Sequence, residues 1–323
     1  MGVTESREIN DVLTTTMANY KNQLMDNIFD VTPLLSWMNG KLGVALRGNS
    51  VKRSLSGGES IVEQLLFEQN STVDSYAGAG VLDTTLQDGM TIARYNWKQY
   101  AAATGITGLD KRNNKGEAQL IALLQSKADQ TAMSLRDRLN RDAFADGTGN
   151  GGKNLTGLEA LVDSTGTVGG LAQGTFSWWA SEETAGGSFA ARGLNDMRTI
   201  YNTLSQGSDR PDFLITTQDV FEFYEKVLQP QERYSNTQAA NSGFTNLTFK
   251  AIPMVFDRDC SSGVIYFLNS KYINWVVHQE ADMSIGPFVT PENQDVSTSQ
   301  TIFQGNMTTG NRRRLGKITG ISA

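Results

Sequence analysis

The sequence predicts an α+β protein hung on one long helix, and three observations carry that reading. From Asn114 to Gly147 apolar residues recur every three or four positions without a break. On either side, at 51–106 and 299–321, the pattern changes to extended chain, with two-residue alternation clearest at Ala93, Tyr95 and Trp97. The composition, with 32 Gly against six Pro and abundant Thr, Ser and Asn, suits strands and turns around a few helices better than a bundle.

Residues 1–15 are polar, and Met17, Tyr20, Leu24 and Ile28 then set up a short amphipathic helix. Thr32-Pro33 suits the cap and first position of another turn through Trp37, so 1–50 is expected to be an arm. Next come two extended runs. Ile61, Leu65 and Phe67 form one; Ala93, Tyr95 and Trp97, alternating with Arg94, Asn96 and Lys98, form its partner. Ser71 to Asp88 between them, including Tyr76-Ala-Gly-Ala-Gly80, is too poor in apolar residues to pack a core, which predicts a hairpin with a long soft tip. A lone two-stranded ribbon is marginal in water, so its apolar face is expected to lie on another subunit.

The long helix carries Leu120, Leu124, Ala128, Leu135, Leu139 and Ala143 as one narrow stripe, with Lys127, Asp129, Arg136, Arg138 and Arg141 between them. Asn114 is placed to cap it, Glu117 to reach back to the cap, and Gly147 to close its end. At 1.5 Å per residue, Glu117 to Ala143 spans roughly 40 Å, against about 11 residues for a typical helix. Such an element is a strut. Turns dominate the stretch that follows, through Gly157-Leu-Glu-Ala-Leu-Val162, Val168-Gly-Gly170 and Trp178-Trp179. Leu194, Met197, Tyr201 and Leu204 predict a second helix ending at Gly207, and Phe213 to Thr217 a buried strand. That strand runs into a third helix with Val220, Phe221, Tyr224, Val227 and Leu228 inward, stopped by Pro230. Strands are expected at Ile252–Phe256, Val264–Leu268 and Tyr272–His278, and the tail from Ser299 to Ile321 is again extended.

Charge and cysteine usage narrow the function. With 28 basic against 34 acidic residues the net charge is −6, the wrong sign for a dedicated nucleic-acid binder, which needs a basic surplus to displace counterions. One cysteine, Cys260, excludes an intrachain disulfide. No signal-peptide pattern in Met1 to Tyr20 and no apolar run near 18 residues leave a chain expected to be made in the cytosol, soluble, and free of any membrane contact.

Candidate chemistry is sparse, and no catalytic, cofactor or metal residue is assigned. Gly147 to Asn154 spells G-T-G-N-G-G-K-N, one residue short of the phosphate loop G-x-x-x-x-G-K-[ST]. That loop needs a hydroxyl for magnesium at its last position and a preceding strand, and here Asn154 follows a helix, so a Gly-rich turn is the better reading. A calcium loop starting at Asp146 fails at its twelfth position, Gly157, where a bidentate Glu belongs. His278 is the only histidine and sits at a strand end, and Cys260 in Asp257-Arg-Asp-Cys-Ser-Ser262 has no definable base, so no nucleophile–base pair is argued. Glu63, Glu68, Asp110, Asp129, Asp137 and Asp142 are expected on exposed faces. Arg312-Arg-Arg314 reads as strand, with Arg312 and Arg314 facing one way, which suits salt links to neighbouring chains better than a DNA patch.

The order of these pieces resembles a known family. An arm, a long hairpin, Thr104-Gly-Ile-Thr-Gly-Leu-Asp-Lys111, a spine helix, Gly157-Leu-Glu-Ala-Leu, Val168-Gly-Gly170, Trp178-Trp179 and a late compact unit are similar to the major capsid proteins of tailed double-stranded DNA bacteriophages, of the Hong Kong 97-type capsid fold. Phe249-Lys-Ala-Ile-Pro-Met-Val255 matches a strand that often carries a Pro in those proteins. The resemblance implies an N-terminal arm (1–50), an extended loop (51–106), a peripheral domain with the spine helix (107–210 and 285–323) and an axial domain (211–284). It implies a structural protein, not an enzyme, and no cofactor. Its copies would self-assemble as pentamers and hexamers into an icosahedral head that encloses DNA without reading it, as a virion component assembled in the host cytoplasm.

The partners so implied are further copies of the chain, a scaffolding protein, a portal and a decoration protein. Glu63, Glu68, Arg94, Lys98, Arg312, Arg313 and Arg314 are the residues expected at contacts between subunits. Two departures limit the likeness. No long helical segment precedes the arm, which implies a separate scaffolding protein or a segment already removed, and no lysine lies between Ser54 and Trp97, so the isopeptide cross-link of one branch of the family is not expected. The competing readings are an encapsulin-like bacterial compartment, which shares the fold, a soluble nucleotide-using enzyme built on the 147–154 loop, and a phage tail or neck protein.

Overall fold

The computed structural model describes residues 32–40, 51–113, 117–207, 209–228 and 247–323, with side chains in the long helix described from residue 123. The expected arm helix at Met17 to Ile28, the Asn114 cap and the Pro230 stop lie outside the described residues.

The spine helix is Glu117–Phe144, 28 residues. Leu124, Ala128, Ala132, Leu135, Leu139 and Ala143 form its buried stripe, which is the three- and four-residue spacing of the sequence made into one face. Its partner is the strand Lys98–Thr107. Alanines in the stripe let the two backbones approach, so the Thr104 and Thr131 hydroxyls meet at 3.0 Å and Lys127 Nζ donates to the Gly105 carbonyl at 2.9 Å. Gly147 follows the helix with φ of +83°, and a Cβ there would stand 2.7 Å from the Leu155 carbonyl oxygen, so only glycine suits the exit.

Two sheets make up most of the rest. The first is built on the 14-residue strand Val296–Thr309. Lys98–Thr107 pairs antiparallel along it from Val296↔Thr107 to Gly305↔Lys98, while Ile273–His278 and Ser284–Ile285 pair with it as well. Lys52–Leu55 extends this sheet by pairing parallel with Ile273–His278. The second has six strands in the order Glu182–Ala185, Gly316–Thr319, Ile265–Leu268, Phe213–Thr216, Ile252–Phe256 and Leu247–Phe249.

Alternation along the second sheet separates two cores. Leu214, Met254, Ile265, Phe267 and Ile318 face Met197, Ile200 and Leu204 of the helix Leu194–Leu204 and Val220, Phe221 and Tyr224 of the helix Gln218–Leu228. Phe213, Ile215, Tyr266 and Leu268 point the other way, into the core shared with the spine helix. There Trp37 stacks on Phe213 at 4.7 Å and Phe144 packs against Tyr266. Among the described residues no helix is long and apolar enough to cross a membrane.

Three expectations are corrected. Segments 211–284 and 285–323 do not keep their strands apart: Ile273–His278 joins the first sheet, and Gly316–Thr319 joins the second beside Ile265–Leu268. The tight turn at Asn269–Tyr272 carries the chain from one sheet to the other, and period-two alternation contains no information about which sheet receives a strand. Arg312–Arg314 is a 3₁₀ turn, not a strand, started by the Asn311 carboxamide accepting from the Arg313 amide. Finally, Glu63 and Asp142 are buried and hydrogen-bonded rather than solvated.

Candidate assembly surface

The two expected runs do pair as a hairpin, Ile61–Leu66 antiparallel with Met90–Tyr95 from Ile61↔Tyr95 to Leu66↔Met90, with Phe67 and Trp97 just outside the paired strands. Each face has a different fate. Ile61, Leu65, Ala93 and Tyr95 are buried in the main core of the same chain, which corrects the expectation that this face waits for another subunit. The outer face carries Val62, Leu66, Met90 and Ile92, all exposed, with Leu66 78% and Met90 73% accessible. Beyond the strands the tip adds Val73, Tyr76, Val81, Leu82 and Leu86, with Val81 and Leu86 both 98% accessible.

The base of the hairpin is held by specific bonds. Tyr95 Oη donates to the Thr309 carbonyl at 3.2 Å, and the Arg94 amide donates to the Gly169 carbonyl at 2.8 Å. Gly169 has φ of +61°, and a Cβ on it would lie 2.7 Å from that of Ala93, so the Val168-Gly-Gly170 turn is a cradle only glycine can form. Phe67 stacks on Trp178 at 5.1 Å, which gives the Trp pair its place. Glu63 is fixed beneath: it accepts from Thr308 Oγ1 at 2.8 Å and forms an ion pair with Arg53 at 3.0 Å.

The seven residues expected at subunit contacts therefore divide. Glu68, Arg94 and Arg313 are exposed, Arg94 on the same outer face as Val62 and Ile92. Lys98 is half-buried and donates to the Gly152 carbonyl, and Arg314 donates to the Leu204 carbonyl at 3.1 Å. Glu63 and Arg312 are buried in their own chain. Arg312 is fully covered, and its guanidinium donates to the carbonyls of Ala160, Leu161, Asp163, Thr165 and Trp179. Burial draws its pKa down from the ordinary arginine range, with Tyr95 and Asp163 opposing. It locks a turn within its own chain.

The apolar outer positions were not singled out by the sequence reading, although adjacent apolar pairs, Ile61-Val62 and Leu65-Leu66, put apolar side chains on both faces of one strand. The 147–154 loop is a structural turn. Asp142 accepts from Tyr100 Oη at 2.7 Å, Arg138 Nε at 2.8 Å and Asn154 Nδ2 at 3.3 Å, so Asn154 pins the loop to the spine helix. His278 sets its ring edge-on to Trp97 and accepts from the Glu280 amide. Cys260 is buried, and burial together with the charge of Asp257 pushes its thiol up, away from the reactive thiolate.

A spine helix laid on a long strand, a hairpin projecting from its side and a six-stranded sheet under two helices define the Hong Kong 97-type capsid fold, and the comparisons agree. The chain is similar to one from the cyanophage A-1(L) capsid asymmetric unit, with 16% identity and a TM-score of 0.61 over 90% of this chain and 93% of that one. It is similar to a chain of Mycobacterium phage Bobi, with 11% identity and a TM-score of 0.56 over 86% and 92%. The third likeness is to the SrpI encapsulin of Synechococcus elongatus PCC 7942 in its holo complex, with 9% identity and a TM-score of 0.55 over 84% and 85%. No family model matches the sequence, and no curated protein matches it.

Proposed function

We propose that this chain is the repeating subunit of a phage head, a structural protein that assembles as pentamers and hexamers into a closed shell around double-stranded DNA. One observation carries the reading. A fold that buries its own core nonetheless exposes Val62, Leu66, Met90 and Ile92 on one face of a two-stranded ribbon, shared with Gln64 and Arg94, and exposes Val81 and Leu86 at its tip. Exposed large apolar side chains gathered on one element support a protein contact. Covering one such side chain contributes about 1.5–3 kcal/mol, so each hairpin supplies a modest contact that a shell repeats many times. The net charge of −6 suits a wall past which DNA moves without sticking. This reading implies a scaffolding protein, a portal and a decoration protein as further partners, with assembly in the host cytoplasm.

The test is to place charge on the outer face with Leu66→Asp and Met90→Asp together. Shells of the unaltered protein in the electron microscope, against soluble unassembled subunits of the variant with an unchanged circular dichroism spectrum, support the proposal. Equal assembly of both proteins removes its basis. A second reading, an encapsulin-like compartment, is favoured by the likeness to the SrpI encapsulin, whose TM-score of 0.55 equals that of the phage Bobi chain to within 0.01. Nuclease-resistant DNA inside purified shells supports the phage head, and a protein cargo supports the compartment.

A further inference from the structure

Away from the hairpin, the turn that follows the spine helix carries one of the two Asn-Gly pairs in the sequence, Asn150-Gly151; the other is Asn39-Gly40. An asparagine followed by glycine is open to a reaction of its own. The amide nitrogen of the next residue, once hydroxide has taken its proton, can attack the carboxamide carbon of the asparagine, and a glycine there has no Cβ to block the approach. How fast a pair reacts depends on how firmly the fold holds the two groups, and this fold holds its two pairs differently.

Asn150 and Gly151 are exposed, and both lie in the left-handed region, with φ of +53° and +66°. A Cβ built on Gly151 or Gly152 would meet nothing within 4 Å, so the backbone has open space in which to swing into the reacting geometry. Among the described residues no hydrogen bond engages the Gly151 amide or the Asn150 carboxamide. The turn is tied down beside them instead, by the Gly152 amide donating to the Thr148 carbonyl at 2.9 Å and by Lys98 Nζ donating to the Gly152 carbonyl. Gly40, in contrast, donates its amide to the Trp37 carbonyl at 3.0 Å, and Asn39 is half-buried at the end of the Pro33–Met38 helix. The nucleophile there is already in use. Asn70, before Ser71, is committed through its acceptor, since Oδ1 takes the Thr72 amide at 2.9 Å and the Thr72 hydroxyl at 2.6 Å.

We propose that Asn150 is a self-modification site, at which the exposed Asn150-Gly151 turn converts in water to aspartate and isoaspartate. The Gly151 nitrogen bonds to Asn150 Cγ and the Cγ–Nδ2 bond breaks. A proton equivalent to the one the amide gave up reaches the departing group through solvent, and that group leaves as ammonia. Water then opens the five-membered imide. Adding at Cγ, it restores the ordinary main chain with an aspartate; adding at the backbone carbonyl carbon, it leaves isoaspartate, with the main chain routed through the former side chain. Nothing is oxidised or reduced. Either product adds one negative charge to a chain that already carries −6, and adds it on the turn where the Lys98 ammonium and exposed Lys153 stand. Isoaspartate also lengthens the backbone of that turn by one carbon.

The test is incubation of the purified full-length chain at mildly alkaline pH, with tryptic digestion and tandem mass spectrometry at intervals. Trypsin cuts after Arg141 and Lys153, and the peptide Asp142–Lys153 contains Asn150 and no other carboxamide side chain. The expected result is the carboxamide-to-carboxylate mass gain in that peptide, with isoaspartate among the products, about tenfold or more faster than at Asn39 or Asn70, whose hydrogen bonds must open first. In denaturing urea the rates at Asn39 and Asn150 converge, which assigns the difference to the fold. Gly151→Ala, which puts a Cβ on the attacking residue, slows the conversion in the folded chain and also in urea, where the left-handed backbone of the turn plays no part. A peptide that stays unmodified, equal rates at Asn39 and Asn150 in the folded chain, or indifference to Gly151→Ala in urea overturns the proposal.

Discussion

Replacing Arg312 by Met separates its two possible roles. The side chain is fully buried and donates to five carbonyls, and removal does not orphan all of them. The Leu161 carbonyl keeps the Ser181 hydroxyl at 3.1 Å, and the Asp163 carbonyl keeps the Ser181 amide at 3.0 Å. Those of Ala160, Thr165 and Trp179 lose the guanidinium. An orphaned buried acceptor costs about 1–3 kcal/mol, and relief of the desolvated charge returns part of it, so a net loss of about 3–5 kcal/mol is expected. Against a total stability of about 5–15 kcal/mol this is severe. With an m-value of about 3 kcal/mol/M, the urea midpoint falls by roughly 1 M or more. Intrinsic tryptophan fluorescence, to which Trp179 beside the guanidinium contributes, reports the transition. Arg312→Lys keeps the charge but not the planar fork, and falls between the two. A Met variant with the original midpoint that no longer assembles would refute the internal role and restore Arg312 as a contact between chains.

Gly169→Val forces a β-branched residue to φ of +61° against Ala93 and Tyr95, so hydrogen exchange at the Arg94 amide should accelerate by at least tenfold while that of the spine helix is unchanged. Leu139→Ala, at a fully buried position, should cost about 2–5 kcal/mol in denaturant unfolding, whereas Met133→Ala, 55% exposed on the same helix, should stay within about 0.5 kcal/mol. Asn154→Ala removes its bonds to Asp142 and Arg138 and should lower the unfolding free energy by about 1–2 kcal/mol in denaturant titration. Magnesium ATP should leave the melting temperature of the unaltered chain where it was; a saturable rise would revive the nucleotide-site reading of that loop.

What was legible in the sequence was whatever depends on period and local turn chemistry. The stripe Leu124, Ala128, Leu135, Leu139, Ala143 is one face of the helix, Gly147 closes it, and the two alternating runs pair as a hairpin. Strand allocation was not legible, because nothing in the sequence of Ile273–His278 or of Ile265–Leu268 names a sheet and only tertiary pairing sends them to different ones. Charge was misread for the same reason. Glu63, Asp142 and Arg312 look like surface residues in one dimension, and each is buried only because partners distant in sequence, such as Thr308 for Glu63 and Trp179 for Arg312, supply its hydrogen bonds.

The most direct test of the shell reading is electron microscopy of the purified protein, alone and co-expressed with the products of its neighbouring genes. Closed particles of uniform size, lost when Leu66 and Met90 are both changed to Asp, are the predicted result. A compact monomer under every condition, with the outer face of the hairpin still exposed to solvent, would contradict it.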